Sequence, residues 1–192
     1  MQKPIDVPIV TFGTDKEWEE WLSKHNTQEQ GIFLRLYKKD SGKKTFSYEE
    51  ALDTALCYGW IDGQTKSYDS ESYLQRFTPR RKRSIWSKIN IGNVERLIKE
   101  GRMRQGGLMQ IDAAKKDGRW ERAYDSSTTM SIPDDFLKLL SKHNKAEKFF
   151  KTLSRGNIYA IAWRLQTAKK VETRERRIQQ ILGMLERGEK FH

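Results

Sequence analysis

A single cysteine, Cys57, stands in 192 residues, so no intrachain disulfide can form and a reducing compartment suits the chain. No apolar run approaches the roughly 18 residues that a membrane-spanning helix needs. The opening "MQKPIDVPIV" has neither the apolar core nor the small-residue cleavage site of a secretory signal. A cytoplasmic protein without membrane insertion is therefore expected. Histidine is scarce as well: His25, His143 and His192 lie far apart, and no Cys/His pair has ligand spacing, which argues against a metal site. "GKKT" at Gly42 lacks the preceding glycine of a phosphate-cradling loop. Cys57 has no evident base beside it and reads as a buried thiol. No catalytic residue and no cofactor are assigned.

Charge and aromatic rings are plentiful. Charged residues make up 33% of the chain, hydrophobic ones 36%, and there are 6 Trp, 7 Tyr and 8 Phe, too many rings for a disordered chain. The length allows one domain or two small ones. The net charge of +11 is unevenly placed: residues 1–75 carry 9 Lys/Arg against 13 Asp/Glu, and residues 76–192 carry 28 against 13. Such asymmetry points to contact with an anionic partner.

The local patterns predict an α+β chain, with a small antiparallel sheet and helices in the N-terminal part and a helical unit after it. "VPIVTF" (7–12) reads as a strand, and Thr14 with Glu17 as a capping box before the apolar stripe Trp18, Trp21, Leu22. "GIFLRLYKK" alternates with the period of a strand. Ser47 and Glu50 repeat the capping box ahead of Tyr48, Ala51, Leu52, Ala55 and Leu56, and Gly59 stops that helix. "WIDGQTKSY" and "SYLQRFTP" form a predicted hairpin. From Asn90, taken as a cap, only helices are expected, with stops at Gly101 and Gly118, each followed by arginine and a large apolar residue. The predicted organisation is an α+β domain over 1–123, a linker over 124–133, and a helical domain over 134–192, which Pro133 opens.

Two constellations stand out. "RFTPRRKRSIWSKIN" places Arg76, Arg80, Arg81, Lys82, Arg83 and Lys88 around Phe77 and Trp86 with no acid among them. Arginine forks bind phosphate bidentately and a neighbouring ring can stack a base; the same run also reads as a solvated loop. "GWIDGQ" sets Asp62 between Gly59 and Gly63 beside Trp60. It reads either as a functional carboxylate in a tight backbone or as a helix stop, a core ring and a turn. A second basic surface, Arg164, Lys169, Lys170, Arg174, Arg176 and Arg177, has Glu172 and Glu175 nearby and reads as a solvent-facing helix side.

Together, "ALCYGWIDGQ", "YLQRFTPRRKRSIWSKIN", "RLIKEGRM" and "FFKTLSRGNIYAIAWRLQTAKKVETRERRIQQILGMLERG" resemble the YdeI/OmpD-associated family, also called bacteriocin-protection proteins. The matching positions are Gly59, Trp60, Asp62, Gly63, Arg76, Pro79, Arg80, Arg81, Trp86, Ser87, Lys88 and Asn90; Lys82 departs from the pattern. The resemblance implies a cytoplasmic bacterial protein, an N-terminal α+β portion like the YjbR/CyaY-like superfamily, and a small helical C-terminal domain. It carries over no active site.

Three functional readings follow. The first is non-enzymatic binding of nucleic acid through the basic Arg/Trp segment. The second is an enzyme or receptor for a small phosphorylated metabolite, with Asp62 as the polar or acid/base group and Arg76, Arg80 and Lys88 holding the anion between Trp60 and Trp86; Arg81 and Arg83 complete the set of candidate anion-binding residues. The third is an adaptor that binds a protein partner through its C-terminal helices.

Overall fold

In the computed structural model, residues 7–25, 30–43, 45–126 and 129–191 are described. His192, and Ser127 and Thr128 of the predicted linker, lie outside them. The chain divides into two compact units, one formed by Met1–Trp86 with Asn90–Arg122 and the other by Ser87–Ile89 with Ala123–His192.

The first unit adopts the expected α+β arrangement. Its elements are β1 (Ile9–Val10), α1 (Asp15–His25), β2 (Ile32–Tyr37), α2 (Tyr48–Cys57), β3 (Trp60–Ser67), β4 (Ser72–Pro79), most of α3 (Lys88–Lys99) and α4 (Gln105–Lys116). The sheet order is β1-β2-β4-β3. β3 and β4 form the predicted hairpin, and β4 also pairs antiparallel with β2. One departure concerns β1: it is shorter than the 7–12 stretch and runs parallel to β2, because α1 intervenes and brings the chain back in the same direction.

Capping begins two of these helices. At α2 the Ser47 Oγ accepts from Glu50 N (3.2 Å) and the Glu50 carboxylate accepts from Ser47 N (2.6 Å), the full reciprocal box. At α1 the Thr14 Oγ1 accepts from Glu17 N (3.3 Å), but the Glu17 carboxylate reaches one residue further, to Gly13 N (2.8 Å). Asn90 is not a cap: α3 begins at Lys88 and Asn90 lies buried within it. The glycine stops hold. Arg102 N bonds Leu97 O while Gly101 N bonds Ile98 O, and Arg119 N bonds Ala114 O while Gly118 N bonds Lys115 O, the paired bonds of a Schellman end.

One sheet face carries Ile32, Leu34, Leu36 and Phe77, all buried. Trp18 of α1 packs against Phe77 (5.6 Å between rings) and edge-on to Trp60 (6.3 Å). The Trp18 indole N–H donates to Ala51 O of α2 (3.1 Å), so burying this ring leaves no orphan donor. A register shift between Asp62 and Thr65 marks a bulge in β3. It keeps both residues on this same face, whereas a regular strand would place them on opposite ones.

The second unit is helical: α5 (Asp134–Leu140), α6 (Asn144–Phe150), α7 (Arg155–Gln166) and α8 (Val171–Glu186). Phe136, Leu140, Ala146, Ile161, Leu165, Ile181, Leu182 and Leu185 form its core, apolar stripes along amphipathic helices.

Candidate functional site

The basic segment leaves β4 at Pro79 and is pinned from within. Arg80 N donates to Gly59 O (2.9 Å), at the point where α2 turns into β3. Gly59 takes a φ of 79° there, and a Cβ would sit 2.6 Å from Gly106 O, so the crossing needs glycine. The Arg80 side chain turns inward and is only 5% exposed. Its guanidinium carbon lies 3.6 Å from the centre of the Trp86 ring, and Nη1 donates to Ile85 O (3.3 Å). Trp86 is 2% exposed and packs on Trp120 (5.2 Å between rings).

A second buried arginine supports the same segment. Arg119, also 5% exposed, donates through Nε to both Asp117 oxygens (2.8 and 2.7 Å) and through Nη1 to Ser84 O (2.8 Å). Hydrogen bonding from Arg119, reinforced by its charge, holds the Asp117 carboxyl below its ordinary pKa. Between the two arginines, Ser84 N bonds Arg81 O (2.9 Å) and Arg81 N bonds Ser84 Oγ (3.0 Å), closing a tight turn. Arg81, Lys82 and Arg83 project from it and are exposed. Beside the turn lies a cavity of about 680 Å³ lined by Arg80, Lys82, Lys116 and Arg119, with Asp117 as the one carboxylate.

The sequence reading passed over Arg119, Trp120 and Lys116. For Arg119 and Trp120 the signal is the stop at Gly118: the glycine that ends α4 delivers an arginine and a tryptophan beneath the basic turn.

The other sequence candidates lie elsewhere. Trp60 is wholly buried among Trp18 and Trp21. Arg76 lies over the Phe33 ring (5.3 Å) and donates to Gln30 O; burial, with Arg81 adding repulsion, lowers its pKa. Asp62 accepts from Tyr48 Oη (2.8 Å) and lines a separate cavity of about 410 Å³. Lys88 is grouped with the second unit, where it pairs with Asp125 (2.7 Å). Arg80 and Trp86 thus share one cluster, Arg81 and Arg83 leave it outward, and Trp60, Asp62, Arg76 and Lys88 occupy four other surroundings.

The remaining reactive groups are accounted for locally. Burial pushes the Cys57 thiol up to about 11, which removes the thiolate a nucleophile requires. His25 stacks on Trp21 (4.5 Å) and bonds its carbonyl oxygen, and His143 contacts Glu186 (2.7 Å). Among the described residues no group of three His, Cys, Asp or Glu could hold a metal ion, and no helix is long and apolar enough to cross a membrane. On the C-terminal basic surface Arg174 pairs with Asp135 (2.6 Å) rather than with Glu172 or Glu175, Arg177 donates to Arg164 O, and Arg164 lies over Phe191.

Residues 10–110 match a family described as a domain of unknown function (DUF8412), and residues 129–188 match the family described as "Bacteriocin-protection, YdeI or OmpD-Associated". The second match bears out the resemblance over the C-terminal segment. The first gives no support to a YjbR/CyaY-like N-terminal part. No curated protein and no solved structure matches the chain.

Proposed function

We propose, from the premise that the chain belongs to the family described as a domain of unknown function (DUF8412), that it is a non-enzymatic, cytoplasmic binder of nucleic acid. The bacteriocin-protection likeness of residues 129–188 names a phenotype and leaves the molecular activity open. The observation that carries the proposal is the anchored basic turn: Arg81, Lys82 and Arg83 exposed on a loop that two buried arginines hold from behind, next to a cavity bearing four cations and one carboxylate. Holding the turn in place lowers the ordering cost of binding. Phe77 and Trp86 are buried, which favours contacts to phosphate over base stacking and hence weak sequence preference.

The test is a fluorescence titration of labelled duplex DNA and single-stranded RNA across a salt series. If Arg81, Lys82, Arg83 and Lys116 neutralise about four phosphates, log affinity for duplex falls with log salt at a slope near −3.6. Arg81→Ala/Lys82→Ala/Arg83→Ala reduces the slope toward about −0.9. Equal binding by this variant, or binding that salt does not weaken, overturns the reading.

The cavity behind the turn favours one alternative, a small phosphorylated metabolite seated between Lys82 and Lys116. It is distinguished by saturable binding of pyrophosphate at fixed salt that is lost in Lys116→Ala while duplex DNA fails to compete.

A further inference from the structure

Asp62 has no part in the anion surface, yet its surroundings specify a ligand of the opposite charge. Its cavity is lined also by Tyr48, Glu49, Thr65, Tyr73 and Gln75. The bulge between Asp62 and Thr65 brings these two onto one face of the sheet, with Gln75 paired beside Thr65.

The inner groups have already committed their hydrogens. Tyr48 donates its hydroxyl proton to Asp62 Oδ2 (2.8 Å), and Thr65 donates to Gln75 Oε1 (2.7 Å). Gln75, 3% exposed, directs its amide N–H groups to Gly63 O (2.8 Å) and, at longer range, Arg76 O (3.5 Å). At its inner end an incoming molecule therefore meets acceptors, namely the second Asp62 oxygen and lone pairs on the Tyr48 and Thr65 oxygens, with the Glu49 carboxylate further out; the Tyr37, Ser47 and Tyr73 hydroxyls, which also line the cavity, can accept as well as donate. Burial, then the nearby Asp62 charge, raises the Tyr48 pKa well above the ordinary phenol value, so the phenol keeps its proton and its bond to the carboxylate. Glu50, the other acid of the first helical turn, is tied to Ser47 N and is not available to the cavity.

The inner acceptors and the two carboxylates repel phosphate and carboxylate groups, and a tyrosine ring beside them attracts a cation. We propose that this cavity binds a small organic cation bearing N–H donors, an alkylammonium or alkylguanidinium group, with Asp62 as the central acceptor, Glu49 as the outer charge and Tyr73 as the ring. Two lysines also line the cavity. Lys38 is turned aside, its ammonium donating to Asp69 O (3.3 Å) and Ser70 O (2.9 Å). Lys39, exposed at the rim, opposes the ligand and acts as a gatekeeping charge.

Calorimetric titration of the full chain with n-butylguanidinium, n-butylammonium, n-butanol and butyrate tests the assignment. Both cations are expected to bind saturably, and the alcohol and the carboxylate not. Asp62→Asn weakens the cations by about tenfold or more, the scale of one charge-assisted hydrogen bond. The exposed Glu49→Gln weakens them less, and Lys39→Ala tightens them. Replacing Arg81, Lys82 and Arg83 by alanine leaves them unchanged, which separates this site from the anion surface. No saturable binding of either cation, equal binding of n-butanol, or unchanged affinity in both a folded Asp62→Asn and Glu49→Gln overturns the proposal.

Discussion

Arginine plays opposite parts in the two units. In the first, Arg80 and Arg119 are drawn into the interior, one flat on Trp86 and the other gripping Asp117 and the Ser84 carbonyl. In the second, the core is apolar throughout, and arginines such as Arg174 and Arg187 sit at the surface in ion pairs with Asp135 and Glu189. Fully buried arginines are thus structural pillars of the first unit, whereas the second keeps Arg174 and Arg187 toward its surface and Arg177 half-buried. A buried guanidinium is kept only where ring faces and carbonyls replace its water shell. The loop from Arg81 to Ile85 supplies such carbonyls to Arg80 and Arg119; in the second unit Arg177 finds one on Arg164 O, near the C-terminal end of α7, and stays half-buried.

Truncating a pillar should break this contrast most sharply. Arg80→Ala removes a desolvated ring contact and a charged hydrogen bond, and is expected to cost about 3 kcal/mol, read in urea by the fluorescence of Trp86 and Trp120. Arg119→Ala should approach this, moderated because Asp117 is half exposed and regains water. A change within about 0.5 kcal/mol for both would show that they are not pillars. Replacing the exposed Arg81, Lys82 and Arg83 should leave stability within about 0.5 kcal/mol while removing most of the salt-dependent DNA affinity, which separates support from contact within one loop.

Smaller effects sharpen the picture. Ser47→Ala should cost about 1 kcal/mol by removing half of the α2 capping box, and it should also change the pH dependence. The backbone hydrogen bond from Ser47, with its side chain next, lowers the Glu50 pKa from its ordinary 4.5. A lowered folded pKa means that the stability linked to Glu50 is fully present above about 4.5 and is lost as pH falls through the folded value. Acid unfolding curves of wild type and Glu50→Gln should therefore converge at low pH and separate above it. At the bottom of the scale, Arg174→Ala in the second unit should cost no more than about 1 kcal/mol; a loss as large as that for Arg80 would erase the distinction between the units.

Much of the framework was legible along the chain because its determinants are local. The Ser47–Glu50 box, the stops at Gly101 and Gly118, and the hairpin of β3 and β4 each depend on residues a few positions apart. Asn90 was misread because its type suits a cap, whereas α3 starts two residues earlier, where Lys88 N is taken up by Tyr124 O (2.9 Å). The basic segment was visible as a cluster of cations, but which cation turns inward was not. Arg80 and Arg81 are chemically identical neighbours; the backbone bond from Arg80 to Gly59 and the ring of Trp86 separate their fates. Asp62 was visible as a carboxylate between glycines, while its partner Tyr48, at the other end of α2, and the bulge that sets Thr65 beside it were not.

By itself, then, the sequence determined the capped start of α2, the glycine ends of α3 and α4, which faces are apolar, and that positive charge gathers after residue 75. These follow from short-range hydrogen bonding and from the periodicity of side chains around a helix or along a strand. Only the tertiary structure decided that Arg119 reaches 35 residues back to Ser84, that Arg81, Lys82 and Arg83 are left outside, and that Asp62 faces a tyrosine rather than an arginine. The reason is that desolvation depends on neighbours from distant parts of the chain, and a charge has no burial until the fold supplies them.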